Sequence, residues 1–135
     1  MEKGFIIDGS AKRKVIRIAK CLLAPGEINL SWNDTSKVLL QDGKTVIAFG
    51  SGTGKSRETK ACGNALSNYR AISQTTKKPS QLLFRLIGPK NLLLKEVNNA
   101  REMMERSVCP ASEVIFGVAR DDSLNDEVRI TIMAT

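Results

Sequence analysis

The sequence predicts an α+β domain of two layers, with elements in the order β-α-β-α-β-β and the helices on one face of the sheet. Three observations predict it. Four short runs have the length and composition of strands: TVIAFG (45–50), LLFRLI (82–87), VIFGVA (114–119) and VRITIM (128–133). The first three are separated by segments with helical apolar spacing, about 58–72 and 91–108. The last two are joined by a polar turn, RDDSLNDE. Helices of this kind bury their apolar stripes against one face of a sheet.

Taken in order, residues 1–28 read as an N-terminal segment with a basic amphipathic helix, and 29–135 as the domain proper. Met1 to Gly9 lacks the basic, apolar, small-residue order of a secretion signal. In AKRKVIRIAKCLLA (11–24), Val15, Ile18, Ala19 and Leu22 share one helical face, and Lys12, Arg13, Lys14, Arg17 and Lys20 occupy the rest. Pro25-Gly26 stops that helix. Two readings stand: a helix with one packed and one wet face, or a basic surface for an anionic membrane or nucleic acid. Asn29 and Ser31 suit a loop. Asn33 or Asp34 can cap a short helix carrying Val38, Leu39 and Leu40, which Gly43 ends.

The first strand follows, then a glycine-rich turn, GSGTGKS. The helix from Glu58 to about Ile72 places Ala61, Cys62, Ala65, Leu66 and Tyr69 on one face, small enough for a close approach to a sheet. SQTTKKPS (73–80) reads as an exposed loop. Gly88-Pro89 ends the second strand. Asn91 can cap the next helix, whose stripe is Leu94, Val97, Ala100, Met104 and Val108, with Pro110 beyond its end. In the last strand Val128, Ile130 and Ile132 alternate with Arg129, Thr131 and Met133, predicting one apolar face and one mixed face.

Composition narrows function. The chain has 135 residues, 41% of them hydrophobic, enough for one ordinary domain. No apolar run approaches the ~20 residues of a membrane span. Cys21, Cys62 and Cys109 are scattered and odd in number, which fits reduced thiols and a cytoplasmic setting. The absence of histidine removes Ser/His and Cys/His nucleophilic pairs, and no CxxC pair exists to bind zinc. No metal or cofactor is expected. The net charge of +7 favours acidic partners. With aromatics at 4%, a base-stacking platform is disfavoured.

GSGTGKS invites a nucleotide-binding reading. A Walker loop needs G-x-x-x-x-G-K-[ST], so that backbone N–H groups curl around phosphates. Gly54-Lys55-Ser56 match the last three places, but Phe49 stands where the leading glycine belongs. A flexible turn between strand and helix is the favoured reading, and a small NTPase the third-ranked function.

From about Ala11 to Thr135 the chain resembles the FtsZ family. The ending VIFGVARDDSLNDEVRITIMAT is similar to the family's last two strands. GPKNLLLKEVNNA (88–100) resembles its "GGPDLSLFEV" stretch, and FGSGTGKSRETKACGNAL (49–66) its "MGSG" turn and helix. LLAPGEINLSWND (22–34) resembles the end of its long central helix and the "PGLINVDFAD" loop. The resemblance implies the carboxy-terminal domain: a four-stranded mixed sheet, last strand antiparallel, backed by two helices. The helix in 1–28 would be a remnant of the central helix. In that family the loop after the central helix enters the nucleotide pocket of the next subunit, where two acidic residues help position the attacking water. Carried over, Asn29 matches the loop asparagine, Ser31 stands at the first acidic position and Asp34 at the second. Serine supplies no fixed negative charge. The family's GGGTGTG signature for GTP has no counterpart in these residues.

The functional expectation is a non-enzymatic, FtsZ-like interaction and polymer-forming domain related to cell division. Its loop face, Asn29, Ser31, Trp32 and Asp34, would dock on the GTP-bearing face of an FtsZ subunit and cap or regulate the filament. Trp32 serves equally well as a core or a surface residue. A homo-oligomer is a further expectation. The alternative is nucleic-acid or anionic-membrane binding through the basic helix 11–20, with the steep salt dependence of phosphate contacts.

Overall fold

The computed structural model describes residues 4–7, 45–73, 81–108 and 113–134. Among the described residues seven elements form: β1 (Gly4–Ile7), β2 (Thr45–Gly52), α1 (Arg57–Ser73), β3 (Gln81–Gly88), α2 (Leu94–Val108), β4 (Glu113–Arg120) and β5 (Val128–Ala134). From β2 onward they are the predicted β-α-β-α-β-β, with each strand run extended by one or two residues. The sheet order is β1-β2-β5-β3-β4. The last strand, β5, inserts between β2 and β3 and runs antiparallel to both, while β3 and β4 are parallel. The sheet is thus mixed, as expected.

One strand was not read from the sequence. β1 adds a fifth strand antiparallel to β2, from Gly4↔Ala48 to Ile7↔Thr45. Four residues are too few to display a period of two, and the pairing joins segments far apart in the chain.

Both helices pack on the sheet face that carries Ala48, Leu82, Phe84, Leu86, Val128, Ile130 and Ile132. Ala61, Cys62, Ala65 and Leu66 of α1 and Val97, Ala100 and Met104 of α2 complete this core. Phe84 and Phe116 stack across the parallel pair with ring centroids 5.0 Å apart. The small residues of α1 do what their spacing predicts. They bring the helix so near β2 that a Cβ built on Gly50 would lie 2.3 Å from the Ala61 carbonyl and the Ala65 amide nitrogen. Gly52 meets the same helix at the Arg57 carbonyl.

The opposite face is less polar than the alternation in β5 suggests. Arg129 is exposed, but Thr131 and Met133 are buried, as are Ile47, Leu83 and Arg85 on the neighbouring strands. A period of two assigns residues to faces; which faces are covered depends on what packs there.

Candidate functional site

The strands β2, β3 and β4 end, and β5 begins, at the same end of the sheet, so three connections converge there. They are the turn after β2 (53–56), the segment from β3 to α2 (89–93) and the turn between β4 and β5 (121–127). Each is shaped by local chemistry. Gly54 takes a left-handed φ of 75°, and Ser56 a φ of 57°, which costs any residue with a Cβ about 1 kcal/mol. The Ser56 carbonyl then accepts the first helical N–H of α1, from Lys60. In the third connection the Asp121 carboxylate accepts from both the amide and the hydroxyl of Ser123, an Asx turn, and these bonds lower its pKa.

Arg57, the first residue of α1, ties all three together. Its side chain is 8% exposed. Nε donates to Glu96 Oε2 at 2.6 Å and Nη2 to Glu96 Oε1 at 2.8 Å, the two-pronged geometry that matches guanidinium to carboxylate. Nη1 donates to Asp126 Oδ1 at 3.1 Å, and Nη2 also to Asn91 Oδ1 at 3.2 Å. One side chain therefore joins α1, the start of α2 and both loops beyond β3 and β4. Beside it, Asn99 donates to Glu58 at 3.3 Å, a second bond between the helices.

Glu96 has a further task. The Leu93 amide donates to Glu96 Oε1 at 3.1 Å, and the Leu93 carbonyl accepts from Glu96 and Val97. Leu93 is therefore the cap of α2, with Glu96 supplying the returning side chain of a capping box. This corrects the expectation for Asn91: its carboxamide serves Arg57, three residues before the first helical position. The hydrogen bond from Arg57 is the largest cause of a Glu96 pKa lowered from 4.5, opposed by partial burial. A carboxylate with a depressed folded pKa adds stability above its unfolded value and loses it as pH falls through the folded one. Acid titration of the fold should therefore show a loss of stability below pH 4.5. In Glu96→Gln that loss should flatten, with the gap between variant and parent narrowing as the pH drops; equal slopes in urea-unfolding series at stepped pH would contradict it.

The glycine turn is tied to the rest of the site. The Gly54 amide donates to Asp126 Oδ2 at 2.7 Å, and Lys60 Nζ donates to the Thr53 carbonyl at 3.1 Å. One donor of the turn, the Gly54 amide, is thus engaged inside the protein, by a carboxylate that would repel a phosphate. Among the described residues no group of three or more His, Cys, Asp or Glu is arranged to hold a metal ion. Cys62 is buried, its thiol pushed up to about 11 by desolvation, which leaves it unreactive at neutral pH. No described helix is long and apolar enough to cross a membrane.

What this end of the molecule offers is a stiff surface. Leu93 is 60% exposed, beside exposed Lys90, and Leu94, the first residue of α2, is 72% exposed and so not on the buried stripe expected for it. The positions singled out from the sequence, Asn29, Ser31, Trp32 and Asp34, and the basic set Lys12, Arg13, Lys14, Arg17 and Lys20, lie outside the described residues. The Arg57 cluster was missed because its other members lie 34 to 69 residues from Arg57 in the chain. The local hint is Glu96, three residues after Leu93 at a helix start.

The comparisons agree with this architecture. The family described as "FtsZ family, C-terminal domain" matches residues 43–135. The chain is similar to the cell division protein FtsZ of Caulobacter vibrioides, with 32% identity over 87% of this chain and 23% of that protein. FtsZ of Mycoplasmopsis pulmonis is 30% identical over 100% of this chain and 35% of its own length. The chain thus spans about a quarter to a third of the curated relatives it matches. An empty FtsZ dimer from M. jannaschii superposes with a TM-score of 0.73 at 23% identity, over 87% of this chain and 34% of that one. The sheet order, the two helices on one face and the match over most of the residues lead to one conclusion: this chain belongs to the FtsZ family, through its C-terminal domain.

Proposed function

We propose that this chain is a cytoplasmic, non-enzymatic interaction module of FtsZ-type assemblies, which docks on the GTP-bearing face of an FtsZ subunit and caps or regulates the filament. The observation that carries the reading is the match of residues 43–135 to the C-terminal domain of the FtsZ family. One solved structure that this chain resembles is an FtsZ dimer, which supports a contact between subunits in this reading. The docking loop in this reading is Asn29, Ser31, Trp32 and Asp34. Ser31 in place of an acid removes a charge that would orient water, which favours docking over hydrolysis. A net charge of +7 speeds approach to an acidic filament.

Sedimentation of GTP-assembled FtsZ with and without this chain tests the proposal. Co-pelleting, or a change in polymer yield and length, is the expected result, weakened by Asp34→Ala and by Trp32→Ala. An unchanged pellet that leaves the chain in the supernatant would count against it.

A further inference from the structure

The sheet face away from the helices is mostly apolar and sealed: Ile47, Leu83 and Met133 are at most 1% exposed. Arg85 stands in the middle of it, opposite Gly117 of β4 on one side and Thr131 of β5 on the other. It is 4% exposed. Arginine is almost never buried this deeply unless it is paired. Arg57, the other buried arginine among the described residues, obeys that rule with two ion pairs. Arg85 has no ion pair and no hydrogen-bond partner among the described residues, and burial lowers its pKa with no neighbouring acid to oppose the shift.

Its surroundings leave one positive charge unbalanced. Arg129 is diagonal to it on the same face, across the β3–β5 pair. That second guanidinium is answered by Glu127 at 3.1 Å, and Asp121 adds to the balance. Thr131 contributes a neutral hydroxyl. The cationic end of Arg85 is nevertheless open to solvent. Among the described residues, the side-chain polar atoms that are both sealed and unbonded are Thr45 Oγ1 and Ser73 Oγ. The Arg85 nitrogens are unbonded yet not sealed, so the stem is the buried part and the tip reaches outward.

We infer that the Arg85 guanidinium anchors a binding site for a small free carboxylate, beside the Thr131 hydroxyl on the sheet face opposite the helices. The planar fork fits the two oxygens of a carboxylate, as Arg57 does with Glu96. One unbalanced positive charge matches a monoanion. A phosphate group, with a charge of about −1.5 to −2 at neutral pH, would leave negative charge unpaired against apolar walls. Chloride has the charge but not the paired oxygens. The opening is narrow, because Leu83, Thr131 and Met133 around the stem are buried. It admits a small ion and not the bulk of a protein surface. The inference does not rest on the docking reading above, and its test contains no FtsZ.

Acetate is the probe, near neutral pH, with chloride replacing it at constant ionic strength. In NMR spectra the Arg85 Nε–H resonance, identified by its loss in Arg85→Lys, should shift along a saturating curve with acetate and stay in place with chloride. The thermal midpoint of the parent chain should rise with acetate, as binding to the folded state requires. In Arg85→Met, which keeps an unbranched apolar stem, that rise should disappear. No acetate-dependent shift in the parent would overturn the inference, whether or not Arg85→Met folds. So would a response that chloride reproduces, one that survives in Arg85→Met, or a stronger response to inorganic phosphate than to acetate.

Discussion

Replacing Arg57 by methionine is expected to lower the free energy of unfolding by about 3 kcal/mol, the lower end of what removing one partner of a buried ion pair costs. The lower end applies because Glu96 keeps 13% of its side-chain exposure, and Asp126 keeps 58%. The cost arises in what remains. Glu96 would stay mostly buried without its two strong donors, and the Asn91 and Asp126 side chains would lose the guanidinium that aligns them. For a domain whose whole stability is about 5–15 kcal/mol, this is a large share. Urea titration followed by far-UV circular dichroism measures it. Arg57→Lys should recover only part of the loss, because an ammonium cannot meet both Glu96 oxygens with parallel N–H groups. Combining Arg57→Met with Glu96→Gln should cost less than the two single changes summed, the mark of residues acting as a unit. A loss below about 0.5 kcal/mol for Arg57→Met, typical of an unimportant surface change, would show that the cluster does not hold the loops.

Gly50→Ala is expected to be at least as damaging, for a steric reason. The added methyl would sit 2.3 Å from two backbone atoms of α1 and 2.8 Å from the Ala65 Cα. Flexible side chains yield to such contacts, but a helix backbone cannot move alone. Relief requires lifting α1 off β2, which opens the Ala48, Ala61 and Ala65 contact in the core. Overpacking usually costs about 1–3 kcal/mol, and a clash with backbone on both sides belongs at or above the top of that range. The expected result is a chain that is poorly folded or has a greatly lowered midpoint in thermal denaturation. Gly63→Ala is the control: its Cβ would meet only the Met103 methyl at 3.8 Å, and helix propensity favours alanine there. Gly50→Ala melting within a degree or two of the parent would show that α1 does not lie this close to β2.

The two predictions also show where sequence reasoning reaches. The face of α1 was legible because Ala61, Cys62, Ala65 and Leu66 repeat at helical spacing, and their size already implied a close approach. That Gly50 and Gly52 are the surfaces approached was not legible, because GSGTGKS reads as a turn while its first three residues are strand. The phosphate-loop likeness was weak on spacing alone. What spacing could not show is Asp126, a residue 72 positions away whose carboxylate takes the Gly54 amide. Asn91 looked like a cap because capping preference is local; its carboxamide was drawn instead to an arginine brought in by the sheet.

By itself the sequence determined the order and kind of the elements from Thr45 onward, the apolar face of α1, the Val97, Ala100 and Met104 part of the α2 stripe though not Leu94, which is exposed, and the family likeness carried by the final strands. These properties are local: periodicity, capping and turn chemistry act over a few residues. Tertiary structure alone decided that β5 lies between β2 and β3, that Thr131 and Met133 are covered, that β1 closes half of the β2 edge and that Arg57 binds three connections at once. Such facts depend on pairings between residues tens of positions apart, chosen by packing and charge only once the chain has folded back on itself.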